Sequence, residues 1–255
     1  MIKAAFFDID GTLVSFKTHA VPASTLRALE VLRERGIKTV ISTGRSKSQL
    51  AAPLDSGFDA YITMNGQICF DSEGVFRCCA IDEDDVRTIV RQVQDGEYIA
   101  LVLQEDRMFA SGHSEDVRFI ERHCGVTYEE GDIADALLRP TYQFCAYVHA
   151  DREHILLDAT KDVITTRWAE QFCDVVPREG GKDYGLRAAC ERFGISPEEA
   201  IAFGDGENDV SMLKAAGVGV AMGNAWDVVK GQADYVTDSV DEDGIWNACR
   251  HFGLI

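Results

Sequence analysis

The chain has 255 residues, 46% of them hydrophobic and 9% aromatic, enough apolar material to bury a large core in one big domain or two modest ones. Lys and Arg total 25 against 43 Asp and Glu, a formal net charge of -18 that repels nucleic-acid phosphates and anionic membrane surfaces, so neither is expected as a main partner. No apolar stretch approaches the ~20 residues a membrane span needs, and a strand pattern stands where a signal sequence would, so the expected location is cytoplasmic. The eight cysteines, Cys69, Cys78, Cys79, Cys124, Cys145, Cys173, Cys190 and Cys249, form no C-x-x-C pair and read as reduced, mostly buried thiols rather than disulfides or a zinc site.

The first third alternates strand and helix. A strand over 4–9, a helix over about 22–35 and a strand over 38–42 make a βαβ unit. Pro22 suits a helix first turn, Leu26, Leu29 and Leu32 repeat at helical spacing, and Gly36 sits where a C-terminal cap is expected. A short strand at 60–63 leads into runs at 67–70 and 75–78 separated by Asp71-Ser72-Glu73-Gly74, a hairpin pattern in which Cys78 and Cys79 take opposite faces. From about Asp82 the pattern changes. An amphipathic helix carries Val86, Ile89, Val90 and Val93, and a hairpin is expected from 98–103 and 108–111. Ser114 caps a helix with Val117 and Ile120, 142–148 alternates as a strand, Asp151 caps another helix, and 163–168 is a further strand. Residues 177–181 read as a return linker, followed by a helix at 184–193, a strand at 200–203, and a helix with Val210, Met212 and Leu213. The expected organisation is a discontinuous α/β domain from 1–81 and 179–255, interrupted by an inserted α+β domain over 82–178.

Four segments carry chemistry. Asp8 and Asp10 stand two apart at a strand end, where open α/β sheets bind ligands, and Gly11 permits a sharp exit. One carboxylate can attack phosphorus to give an aspartyl phosphate while the second protonates the departing oxygen and then activates water. A metal such as Mg²⁺ would neutralise the charge that keeps a carboxylate from a phosphate dianion. Taken alone, an Asx-type turn explains the pattern equally well. Thr43, in Ile41-Ser42-Thr43-Gly44-Arg45, offers a hydroxyl and, with Gly44, exposed amides for phosphate oxygens, with Arg45 in support; in isolation a helix N-cap region is the commoner explanation. Lys182, after Gly180-Gly181, can bind phosphate as a point charge, although a single linker lysine is usually just solvated. Gly204-Asp205-Gly206-Glu207-Asn208-Asp209 supplies Asp205 as a further metal ligand, with Asn208 and Asp209 opening a helix and Asp209 supporting bound water or Lys182.

In order and spacing these segments resemble the haloacid dehalogenase superfamily. Its aspartate pair is matched by Asp8-Ile9-Asp10-Gly11-Thr12-Leu13, its hydroxyl motif by Thr43-Gly44-Arg45, its lysine by Lys182 and its acidic motif by Gly204-Asp205-Gly206-Glu207-Asn208-Asp209. The large insertion is similar to the cap of the Cof-like, type-IIB branch. The resemblance implies a Rossmann-like core with a parallel sheet, an α+β cap that moves over substrate, and Mg²⁺ held by Asp8, the main-chain carbonyl of Asp10 and Asp205, with phosphate on Thr43, Gly44, Lys182 and Asn208. Asp183 follows the lysine where glycine or serine is common. Asp10 separates the chemistries, since haloacid dehalogenases use one aspartate and no metal. The expected activity is therefore Mg²⁺-dependent hydrolysis of small phosphomonoesters, sugar phosphates first, with a phosphomannomutase-type phosphomutase and a non-catalytic binding module as alternatives. In the insertion, Arg107, His113, Tyr142 and Gln143 are candidates for reading the leaving group. His123, His149 and His154 match no metal spacing, and Trp168, Trp226 and Trp246 are expected in a core or interface.

Overall fold

The computed structural model describes residues 1–167 and 169–255, so Trp168, the last residue of the strand expected over 163–168, lies outside the described residues. The chain divides into two compact units, one made of 1–45, 49–78 and 181–255, the other of 46–48 and 79–180.

The chain opens with β1 (Ala4–Phe7), every residue of which is buried. Helix α1 (Ala23–Glu34) follows, with Pro22 at the N-cap rather than inside the first turn. Its buried face is Thr25, Ala28, Leu29 and Leu32, whereas Leu26 points outward and is 39% exposed. Gly36 adopts φ +74° just past the helix, the left-handed conformation that glycine takes without a Cβ penalty. Strands β2 (Lys38–Ser42) and β3 (Ala60–Thr63) run parallel to β1 in register, and the hairpin of β4 (Ile68–Asp71) and β5 (Gly74–Cys78) adds antiparallel to β3. Cys79 lies just beyond β5, so it shares no strand with Cys78.

The second unit begins with α2 (Glu83–Gln94), capped by the Asp82 side chain on the Asp84 amide. Strands β6 (Ala100–Gln104) and β7 (Met108–Ala110) pair antiparallel, and Ser114 caps α3 (Glu115–Cys124) by accepting the Val117 N–H. Strand β8 (Thr141–Ala146) is buried throughout, not alternating. Asp151 caps nothing: it lies within a short 3₁₀ turn, Ala150–Arg152, that takes up the segment ahead of the four-residue α4 (His154–Leu157). Strand β9 (Val163–Thr166) pairs with β10 (Cys173–Pro177), a buried strand that the sequence reading does not include and whose last residue, Pro177, is where the linker over 177–181 is expected to begin. Among the described residues the sheet order is β7-β6-β8-β10-β9, antiparallel throughout, with Val102, Phe144, Ala146 and Val175 packed on Val86, Ile89 and Val90 of α2 in one core cluster.

The chain returns to the first unit with α5 (Lys182–Phe193), β11 (Ala200–Gly204) and α6 (Val210–Ala215), and closes with β12 (Val218–Ala221), α7 (Asp227–Lys230), β13 (Tyr235–Val236) and α8 (Gly244–His251). Its sheet order is β13-β12-β11-β1-β2-β3-β4-β5, parallel from β13 to β3. This is a Rossmann-like α/β sheet, and the carboxyl ends of the adjacent strands β11, β1, β2 and β3 lie side by side at one edge. Helix α5 packs tightly on that sheet at Gly185, where a Cβ would lie 2.4 Å from Cγ2 of Ile62. Gly185→Ala should therefore destabilise the protein by about 2 kcal/mol through overpacking, read as a lowered urea midpoint, whereas an unchanged midpoint would show that α5 can shift freely.

Candidate active site

Three carboxylates meet at the carboxyl edge of the parallel sheet. Asp8, directly after β1, Asp205, directly after β11, and Asp209, at the start of α6, each place an oxygen within 4.8 Å of the others. The loops are shaped for this crowding. Gly11 takes φ +83°, and a Cβ there would lie 2.1 Å from Asp205 Oδ2; Gly204 leaves room for Asp209, whose Cβ stands 2.4 Å from where a Gly204 Cβ would be. No side chain fits at either position.

Lys182, the first residue of α5, is fully buried and donates from Nζ to Asp8 Oδ1 and to Asp209 Oδ1, both at 2.6 Å. Asp209 Oδ2 accepts the N–H groups of Asp205 and Gly206 at 2.9 and 3.0 Å, so both of its oxygens serve to position neighbours. Asp205 Oδ1 accepts from the Thr12 hydroxyl at 3.1 Å, and Oδ2 from Asn224 Nδ2 at 3.3 Å. The same Asn224 amide donates to the Gly11 carbonyl at 2.8 Å, and its Oδ1 accepts from the Val240 N–H at 2.9 Å.

One ammonium faces three carboxylates, and the electrostatics record the imbalance. Burial, opposed by Lys182 and reinforced by Asp209 and Asp10, pushes the Asp8 carboxyl up to about 7. Burial, then the charges of Asp8 and Asp209, push Asp205 up to about 8. Burial works against the Lys182 charge, but the two carboxylates outweigh it and hold the ammonium above its ordinary value. A compact set of hard oxygen donors carrying excess negative charge is the donor chemistry that suits Mg²⁺, and among the described residues this is the one group of His, Cys, Asp or Glu clustered tightly enough to hold an ion.

Asp10 stands apart from this cluster. Its side chain is 42% exposed and gripped by Arg45, with Nε to Oδ2 at 2.9 Å and Nη2 to Oδ1 at 2.5 Å. A guanidinium fork on a carboxylate is a geometry that fixes both side chains. In this structure Arg45 thus holds a protein carboxylate. Thr43 is fully buried; its Oγ1 accepts the Arg45 N–H at 3.1 Å, which leaves the hydroxyl proton as a donor. It caps no α-helix, since the next helical turn is the short 3₁₀ segment Lys47–Gln49. Gly44 borders Asn65, and Asn208 donates to Asn65 Oδ1 at 3.0 Å. Asp8, Asp205, Asp209 and Lys182 are therefore directly linked, Asp10 and Arg45 form a separate pair, and Asn208 joins Asn65.

Asn65 and Asn224 are absent from the residues singled out by sequence, although Asn65-Gly66 after β3 and Gly223-Asn224 after β12 are asparagine-glycine turn signals at strand ends. In the second unit Arg107 pairs with Asp135 at 2.7 Å and lies over Phe109, and His113 sits 3.8 Å from Glu130 and 4.0 Å from Glu121. Tyr142 is buried, and the Gln143 amide donates to Cys145 Sγ at 3.6 Å. His149 approaches Asp116 at 3.6 Å, His154 contacts the Asp151 carbonyl, and His123 stacks on Phe119. Trp226 is 41% exposed, not a core residue, and Trp246 stacks under Arg27.

The sequence pattern of the haloacid dehalogenase-like hydrolases matches residues 5–249, and the chain belongs to that family. Its relatives extend over its whole length. YkrA of Bacillus subtilis, provisionally named a phosphatase, is 33% identical over 264 residues, covering 99% of this chain and 98% of its own. The solved structure of BT4131, described as a subclass IIB sugar phosphatase of the superfamily, has a TM-score of 0.91 at 36% identity over 99% of this chain and 100% of that one. BT1666 from Bacteroides thetaiotaomicron, described among the phosphatases of the superfamily, has a TM-score of 0.93 at 35% identity over 100% of this chain and 96% of that one. The chain is a phosphoric monoester hydrolase of the superfamily, and no described helix is long and apolar enough to cross a membrane.

The raised carboxyls carry a pH signature. Asp8 and Asp205 bind protons more readily folded than unfolded, so their stabilising contribution is complete below the ordinary carboxylate range and is lost as pH rises through about 7 to 8. Without metal, the thermal midpoint should fall between about pH 5.5 and about pH 8.5, and fall less steeply in Asp205→Asn. Equal slopes in the two proteins would contradict the shared charge excess.

Proposed function

We propose that the chain is a Mg²⁺-dependent phosphatase of small phosphomonoesters, sugar phosphates first, working through an aspartyl phosphate on Asp8. The observation that carries the proposal is the buried Lys182 gripping Asp8 and Asp209 beside Asp205, a charge arrangement that a purely structural turn has no need of. The subclass IIB description of BT4131, aligned over essentially the whole chain, supports sugar phosphates as the first substrate class.

The residues divide the labour as follows. Lys182 fixes Asp8 through Oδ1, which orients the carboxylate for attack by Oδ2 and places a fixed positive charge beside the incoming phosphate. Asp8, Asp205 and the main-chain carbonyl of Asp10 would hold Mg²⁺, which when bound neutralises charge on the phosphate dianion. Thr43, the Gly44 backbone and Asn208 receive phosphate oxygens. Asp8 attacks phosphorus, the ester P–O bond breaks, and protonated Asp10 gives its proton to the departing alkoxide. The Asp10 carboxylate then takes a proton from water, which attacks the aspartyl phosphate to release inorganic phosphate and restore Asp8. Both Asp10 oxygens are held by Arg45 in this structure, so proton transfer requires that pair to open.

A panel of phosphorylated metabolites scored by kcat/KM tests the substrate class, with hexose and pentose phosphates expected to lead; release of no phosphate from any small monoester would sink the proposal. Asp8→Asn should abolish turnover, and Asp10→Asn should lower kcat by about 10²–10⁴-fold. Wild-type turnover in Asp8→Asn would remove the covalent route. Chelator should eliminate activity and Mg²⁺ restore it, while full activity in chelator would contradict the role given to Asp205.

A further inference from the structure

Met64, Asn65 and Gly66 form a run of three positive φ values, 50°, 54° and 99°, at the end of β3. Positive φ is uncommon outside glycine and persists only where the surroundings impose it, most often at functional sites. The surroundings here are specific. The Asn65 N–H donates to the Thr43 carbonyl at 3.0 Å, and its carbonyl accepts the Gly181 N–H at 2.9 Å, one residue before Lys182. Its side-chain Oδ1 accepts from Asn208 Nδ2 at 3.0 Å. A carbon on Gly44 would stand 3.4 Å from both of its amide atoms, and Asn65 itself is 2% exposed. One buried residue therefore touches the loop after β2, the start of α5 and the loop after β11, and those three segments carry every group assigned to phosphate.

We infer that Asn65 is a positioning residue of the phosphate site, setting the side chain of Asn208 and the spacing between Thr43-Gly44 and the helix start that bears Lys182; this rests on the phosphate roles proposed above for those residues. The residue type follows from the demands on it. Asparagine tolerates the left-handed backbone better than other non-glycine residues, and its amide oxygen supplies the acceptor Asn208 uses. Glycine at this position keeps the backbone and loses the acceptor. Aspartate keeps shape and acceptor but brings negative charge beside Gly44, where an anion is to bind.

The test is calorimetric titration of inorganic phosphate into the Mg²⁺-supplemented full chain, for wild type, Asn65→Gly, Asn208→Ala and the double variant. Each single change should weaken phosphate about ten-fold, the scale of one lost hydrogen bond. The double variant should be no weaker than either, since both remove one interaction chain, and KM should rise more than kcat falls. Wild-type affinity in Asn65→Gly beside a weakened Asn208→Ala overturns the positioning role and leaves the phosphate reading standing, as does full additivity of the two losses. Wild-type affinity in Asn208→Ala removes that residue's phosphate role and the inference with it. If Asn65→Gly does not fold, Asn65→Asp decides: phosphate should bind about ten-fold more weakly at low salt and partly recover as salt screens the new charge, and wild-type affinity at low salt overturns the inference.

Discussion

The ion pair that Lys182 makes with Asp8 and Asp209 is the interaction on which the site depends. A fully buried ammonium is costly unless it is paired and its hydrogen bonds are met, and removing a single partner from such a group leaves an uncompensated charge inside the protein. The pairing fixes the end of β1, the start of α5 and the start of α6 in one place. Asp209 extends the constraint by accepting the amides of Asp205 and Gly206, so the loop after β11 cannot move without disturbing the lysine. The remaining negative charge, shared between Asp8 and Asp205, is what a cation or a proton must answer.

Topology explains why residues so far apart in sequence converge. In the order β11-β1-β2-β3 the strands are neighbours and parallel, so their carboxyl ends face one side. Asp205, Asp8, Thr43 and Asn65 each follow one of those strands within two residues of its end. The glycines are the counterpart of the crowding: Gly11 and Gly204 stand where a Cβ would collide with the carboxylates of Asp205 and Asp209. Strain in the Met64-Asn65-Gly66 run is of the same kind, a local backbone cost offset by bonds to three other loops.

Much of this was legible in the chain. Buried parallel strands read as apolar runs stopped by Asp-x-Asp-Gly or Gly-Asp-Gly, and period and caps marked α1, α2, α3 and α5 because those helices have ten or twelve residues over which a repeat can register. Strand β10 was not legible, because Asp174 is buried as its second residue and Pro177 stands at its end, and both residue types are depleted in strands. The four-residue helices α4 and α7 and the two-residue β13 are too short to show a period. At the site, the residue types and their order were readable but their pairings were not. Arg45 reads as a support for the Thr43-Gly44 segment, and nothing in the local pattern shows that its guanidinium grips Asp10. Asn65 and Asn224 act through partners 143 and 213 residues away, beyond any local pattern.

The central claim, that Asp8 is a covalent nucleophile and Asp10 the group that completes the cycle, is tested most directly by acid quench of the Asp10→Asn protein mixed with Mg²⁺ and a substrate it turns over, followed by peptide mass analysis. The account predicts the added mass of one phosphoryl group on the peptide containing Asp8, lost on treatment with hydroxylamine. Turnover with no adduct, or an adduct on any other residue, would contradict it.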